Sequence, residues 1–402
     1  MKKKHLFMSA MVIILIINSI SLGAIEKRNY DFDIEKFIVQ YYQSKDIFNE
    51  SIAKQDFSND EVYAYAEGKI KVNEHIKEKI SSYKTNYSVN TELLEKNQMG
   101  DKTYYRYAVV VKFRYDGAKF DSSYGEEIEI IVNNDNKVEN IYVALDYYDV
   151  FMKGYEYDVK LNIKNNNQKI TAFSNLESRV NDLIEQIDNE YDKMIQSDEI
   201  YQHSYELTSN PPAFPLNRSN IVTWARNNYN KVNPQSGGSG VFYYDFSQIP
   251  EAWDCTNFVS HALLAGGASV YNNNTPSTGW YYVNLSQRSY SWAGVPNFHT
   301  FITRKNVTRG PIGESFAYTF VSQNNMPYQT GDLIQFYSSR INNWRHSAVI
   351  TGHAWFVGMP SGTRDALITG RSGVNFFDDN IRASERYPGE PKRVIRLLGN
   401  YF

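Results

Sequence analysis

A single cysteine, Cys255, in a chain of 402 residues removes disulfide stapling from the ways this protein can hold itself together. Its fold must rest on packed side chains, and 32 Tyr and 22 Phe supply material for ordinary cores. The cysteine lies in the run Trp253-Asp254-Cys255-Thr256-Asn257-Phe258-Val259-Ser260-His261-Ala262-Leu263-Leu264-Ala265-Gly266-Gly267. That run reads as a polar entry into a short apolar helix that a glycine pair stops. A thiol at a helix N-terminus meets unpaired N–H groups and the positive end of the helix dipole. Both favour the thiolate, whose ordinary pKa is about 8.5. Cys255 is therefore either a core filler or a reactive atom.

The first residues read as an export signal. Lys2, Lys3 and Lys4 form a basic start, Leu6 to Ile20 is mostly apolar, and Ser21-Leu22-Gly23-Ala24 offers small residues for cleavage. The alternative is an uncleaved anchor, which Asn18 and two serines in the apolar run disfavour. Removing 1–24 takes three lysines and no acid, leaving 39 basic against 45 acidic residues, a net charge of −6. A general nucleic-acid binder would carry a basic face instead, so nucleic acid is not an expected partner. The mature chain is expected to be secreted or cell-wall associated, with no membrane span. The sequence leaves its oligomeric state open.

The length suggests two or three domains. Residues 31–48 and 60–82 read as helices, and residues 83–89 and Tyr104–Tyr115 as strands. Glu126–Val132 and Val138–Leu145 alternate around the turn Asn133-Asn134-Asp135-Asn136, a hairpin signal. Together they predict an α+β accessory module over 27–155 that carries no evident chemistry. Residues 173–200 form an amphipathic connecting helix, and the Pro-rich stretch within 201–215 a linker. The domain that follows, 216–402, opens with a helix at Ile221–Tyr229. Residues 268–329 read as loops and short strands around a cleft, and strands are expected at 331–337, 344–351, 366–369 and 392–398.

A cysteine nucleophile needs a base from another element and donors for the oxyanion. His261, six residues along the same helix, faces away from the sulfur, and His299 sits in a predicted loop. His353 lies just past a glycine at a strand end. His346 starts the strand Arg345-His346-Ser347-Ala348-Val349-Ile350-Thr351-Gly352, where an imidazole can overhang the cysteine helix, hold a thiolate–imidazolium pair and protonate a leaving amine. Asp254 is expected to cap the helix N-terminus. Gln248 is a candidate oxyanion donor beside the backbone N–H of Cys255. Trp253, Trp280 and Trp292, with Tyr281 and Tyr282, either line a groove for a glycan or peptide or pack half-buried. One cysteine and scattered histidines show no metal-ligand spacing, so no metal or cofactor is expected.

The Asp254–Ser260 run with Ala265-Gly266-Gly267, the His346–Gly352 strand, and Asn217-Arg218 with Ala225 resemble the bacterial "putative amidase domain" family, related to the CHAP and other papain-like peptidoglycan-cleaving families. The resemblance covers roughly residues 215–400. It implies an α+β, papain-like core with Cys255 as nucleophile, His346 as base and a third residue orienting the imidazole. Where the family pattern leads one to expect His-Thr, this chain has Arg371-Ser372, and arginine accepts no hydrogen bond. Asn375 is the first candidate for the third role, ahead of Thr369, Ser372 and Asp365. The implied activity is a secreted cysteine amidase acting on an amide of cell-wall peptidoglycan. The alternatives are a cysteine peptidase acting on protein and a non-catalytic surface-binding protein.

Overall fold

The computed structural model describes residues 32–48, 51–153, 176–196, 214–231, 246, 254–305, 308–320, 327–339, 341–355 and 363–402. The predicted signal segment 1–24, nearly all of the linker 201–215, Gln248 and Trp253 lie outside the described residues. The architecture is α+β, a mixture of helices and antiparallel strands.

Helices α1 (Ile34–Asp46) and α2 (Asp60–Ile80) come first. Each starts at a capping side chain: Asp33 accepts from the Lys36 N–H at 3.0 Å, and Asn59 accepts from those of Glu61 and Val62. Four strands follow, β1 (Lys84–Met99), β2 (Lys102–Tyr115), β3 (Ser122–Asn133) and β4 (Val138–Val143), then α3 (Tyr147–Lys153) and α4 (Leu176–Gln196). The second half holds α5 (Arg218–Asn228), α6 (Cys255–Ala265), α7 (Tyr290–Ala293), α8 (Val295–Ile302), β5 (Gly310–Ala317), β6 (Leu333–Ser338), β7 (Asn343–Trp355), β8 (Arg364–Arg371), β9 (Phe377–Arg382), α9 (Ala383–Arg386) and β10 (Lys392–Tyr401).

Among the described residues the ten strands form one sheet, in the order β1-β2-β3-β9-β8-β7-β6-β10-β5, with β4 paired to β3. The sheet therefore runs without a break from the N-terminal strands into the C-terminal ones. The seam is short: Ser123, Tyr124 and Gly125 of β3 pair with Asp379, Asp378 and Phe377 of β9. Gly125 makes this approach possible, since a Cβ there would sit 2.4 Å from the Phe377 ring.

Strand alternation divides the interior into two cores. Ile334, Phe336, Ala348 and Ile350 face the core built on α1, α2, α4 and the N-terminal strands. Leu333 and Val349 face the one built on α5, α6 and α8. Buried ion pairs reinforce the seam: Glu126 lies 3.1 Å from Lys45 and 3.0 Å from Arg386, and Arg386 lies 2.7 Å from Asp378. Strand β9 had no counterpart in the sequence reading. Phe-Asp-Asp-Asn-Ile-Arg carries no apolar alternation, yet every one of its residues is buried.

Candidate active site

Cys255 is the first residue of α6, as the sequence predicts, and is 2 % exposed. Its sulfur lies against the backbone of β7 on both sides of His346. The Arg345 carbonyl oxygen is 3.8 Å away, and the Ser347 N–H donates to the sulfur. The Thr256 hydroxyl is 3.9 Å away and bonds in turn to Ser347 Oγ at 3.1 Å. The sequence expectation of a lowered thiol pKa is corrected here: burial pushes the Cys255 thiol up, outweighing the hydrogen bonds from Ser347 and Thr256. The sulfur rests as a thiol.

His346 starts the apolar part of β7 but leaves the strand opposite to Ser347. Its ring packs beside the Phe336 and Tyr387 rings, with centroids 5.7 and 5.3 Å away. Burial, with the Arg345 and Arg386 charges nearby, pushes its pKa down to about 3, so the ring is neutral. Nδ1 lies 3.2 Å from Ser372 Oγ. Nε2 is buried and has no hydrogen-bond partner among the described residues. When Nδ1–H donates to Ser372, Nε2 carries the free lone pair that a base requires.

Cys255, His346 and Ser372 line one cavity of about 510 Å³, together with Leu145, Phe246, Arg288, Tyr290, Val295, Asn297 and Trp344. No hydrogen bond joins the sulfur to the imidazole. The sulfur lies against the β7 backbone on either side of His346.

Several expectations are corrected. The structure brings Ser372, not Asn375, to the imidazole, because the Asn375 amide donates to Glu127 Oε1 at 2.7 Å, across the seam. Asp254 occupies the N-cap position but makes no capping hydrogen bond to the helix N–H groups. Its carboxylate is taken by Arg371 at 3.1 Å, the Phe246 N–H at 3.1 Å and the Asn257 amide at 2.9 Å. Arg371, which the family pattern left unexplained, thus pairs with the residue beside Cys255.

Trp280 and Trp292 do not line a groove. Both are fully buried with ring centroids 5.1 Å apart, and their indole N–H groups donate to Ser260 Oγ and Asn257 Oδ1. A buried indole with its N–H satisfied inside the protein is core. Tyr290 and Trp344 line the cavity instead, and nothing in their sequence setting marks them. His261 packs between Trp224 and Trp292, and burial holds its pKa well below the ordinary value. His299 lies on α8 and not in a loop, and His353 lies within β7. Among the described residues no group of three or more His, Cys, Asp or Glu side chains could hold a metal ion, and no helix is long and apolar enough to cross a membrane.

Residues 215–372 match the family model described as "Putative amidase domain", the family whose motifs the sequence resembles. The chain is also 36 % identical over 91 residues to "Uncharacterized protein YhbB" of Bacillus subtilis (strain 168). That match covers 23 % of this chain and 25 % of the relative, so the chain spans about a quarter of the relative's length. No solved structure matches the chain.

Proposed function

We propose that this protein is a cysteine amidase that hydrolyses an amide bond in cell-wall peptidoglycan, with Cys255 as nucleophile and His346 as base. One observation carries the reading: the only cysteine, a neutral histidine with an unpartnered Nε2, and the serine that bonds its Nδ1 all line one cavity, within a segment that matches an amidase family.

Because the thiol is protonated and the imidazole neutral at rest, catalysis begins with proton transfer and not with a preformed ion pair. Substrate enters the cavity, and Nε2 takes the thiol proton as sulfur attacks the amide carbonyl carbon. The N–H groups at the start of α6 lack partners within the helix, and they face the developing oxyanion. The imidazolium then protonates the leaving amine, and a thioester remains on Cys255. Water, deprotonated by His346, releases the acid and restores the thiol. Ser372 holds the ring through Nδ1 as a neutral partner, without the charge that a carboxylate would lend.

The test is digestion of purified peptidoglycan by the secreted protein, its Cys255→Ala variant and its iodoacetamide-treated form, with products identified by mass spectrometry. Muropeptides cut at an amide by the untreated wild type alone support the reading. Equal clearance by all three would exclude it, and cleavage of protein in place of muropeptides would favour a peptidase.

A further inference from the structure

The cavity that holds Cys255 is not built by the family-matching segment alone. Leu145, on the connection between β4 and α3, lines it from the N-terminal half, and also lines a smaller space of about 70 Å³ that touches His346 and Ser372. Leu145 lies far outside the matched residues 215–372. Its backbone is left-handed, with φ +62°, a conformation that a bulky side chain adopts only when its surroundings impose it.

The surroundings do so here. The Ala144 N–H donates to Glu127 O at 3.1 Å, and the Asp146 N–H to Val143 O at 3.3 Å. The Asp146 carboxylate accepts from the Tyr148 and Asp149 N–H groups and lies 3.0 Å from the buried ammonium of Lys69. The residues on either side of Leu145 are thus fixed to β3, α2 and α3. The half-buried side chain is held at the cavity by this frame.

We infer that Leu145, delivered by the N-terminal module, is a specificity-determining residue of the Cys255 cavity, restricting the group beside the scissile carbonyl to a compact apolar side chain. The chemistry follows from the lining, to which Leu145, Val295, Pro296 and Ile341 contribute. These four belong to the apolar part of the lining, which receives an apolar side chain, while Arg288, Asn297, Asn343 and Arg345 belong to its polar part. One residue-sized step in an apolar wall changes selectivity by about tenfold. This inference rests on the acyl-transfer reading of Cys255 proposed above.

The test uses the full chain and chloromethyl ketones of N-acetyl-alanine, N-acetyl-leucine and N-acetyl-phenylalanine, in which the thiolate displaces chloride to form a thioether. Iodoacetamide serves as a small reference probe. Wild type, Leu145→Gly and Leu145→Asn are compared, since both replacements suit a left-handed backbone. Wild type is expected to react with the alanyl probe about tenfold faster than with the leucyl and phenylalanyl probes, and both variants to bring the three rates within about twofold. An unchanged ratio in both variants, or no preference in wild type, overturns the inference while leaving the nucleophile in place. An equal gain for every probe, iodoacetamide included, makes Leu145 a plug and overturns it too. A folded wild type whose Cys255 reacts with no probe overturns the acyl-transfer reading, and this inference with it.

Discussion

His346 Nδ1 lies 3.2 Å from Ser372 Oγ, and this one contact joins the candidate base on β7 to the residue that follows β8. It gives the imidazole a defined edge. With Nδ1 committed to the serine, Nε2 is the only nitrogen left to exchange a proton at the cavity.

Ser372→Ala is therefore expected to lower kcat about tenfold with little change in KM, since it loosens the candidate base while removing only a hydroxyl from the cavity wall. Asn375→Ala breaks a bond to Glu127 and is expected to cost stability across the seam while kcat stays within about twofold. Steady-state kinetics of the two variants side by side checks both outcomes, and the reverse order would restore Asn375 to the orienting role.

Gly370 gives a steric test of the same imidazole. A Cβ at this position would lie 3.1 Å from Ala348 Cβ and 3.3 Å from His346 Nε2. Gly370→Ala is expected to displace the ring and reduce turnover more than tenfold while the thermal midpoint falls by only a few degrees. Loss of folding, in place of loss of turnover, would show the site to be dominated by packing.

Acid should destabilise the protein through the same histidine. In the unfolded chain an imidazole titrates near 6.5, whereas folded His346 is held down to about 3. Between those values the unfolded chain binds a proton that the folded chain refuses. The contribution is therefore complete above about pH 6.5 and is lost as pH falls toward about 3, at up to roughly 1.4 kcal/mol per pH unit. His299 and His353, each held down to about 4, act in the same direction. Urea midpoints at pH 7, 5.5 and 4.5 are expected to fall less steeply for His346→Gln than for wild type. Parallel slopes would contradict the depressed pKa.

The thiol supplies the complementary measurement. Burial pushes Cys255 up, so the rate of alkylation by iodoacetamide should reach its half-maximum at a pH above the ordinary thiol value of about 8.5. A midpoint below neutrality would mean that a thiolate–imidazolium pair exists before substrate arrives.

Asp254 and Arg371 form a buried pair, 1 % and 2 % exposed at the side chain. Asp254→Asn leaves the guanidinium charge without its anion and is expected to cost about 3 to 5 kcal/mol. The double variant Asp254→Asn/Arg371→Met should recover most of that loss, a coupling that a double-mutant cycle in urea measures directly.

The elements with strong local periodicity were legible in the chain. The spacing of Ile34, Phe37, Ile38 and Tyr41 marked α1, the stripe from Leu176 to Ile195 marked α4, and the run Tyr104–Tyr115 marked β2. Cys255 at a helix start and His346 on a strand could likewise be read, because a polar entry and a glycine stop act over a few residues. Strand β9 could not. Its Asp378, Asp379 and Arg382 look like loop residues until their partners arrive: Arg386 and Tyr387 for Asp378, Arg226 for Asp379, and the Ile80 carbonyl for Arg382. Arg382 meets that carbonyl 302 residues back along the chain.

The same division runs through the site. By itself the sequence determined that one thiol exists, that it opens a helix, and that a histidine strand follows. The tertiary structure decided that Ser372 and not Asn375 meets the imidazole, that Asp254 serves Arg371 and not the helix cap, and that Trp280 and Trp292 are core. It also decided that Leu145, from the other half of the chain, stands at the cavity. Local signals set backbone conformation through dihedral preference and apolar spacing. Which charged or polar group meets which depends on burial and on contacts between distant segments, and that information is not local in the chain.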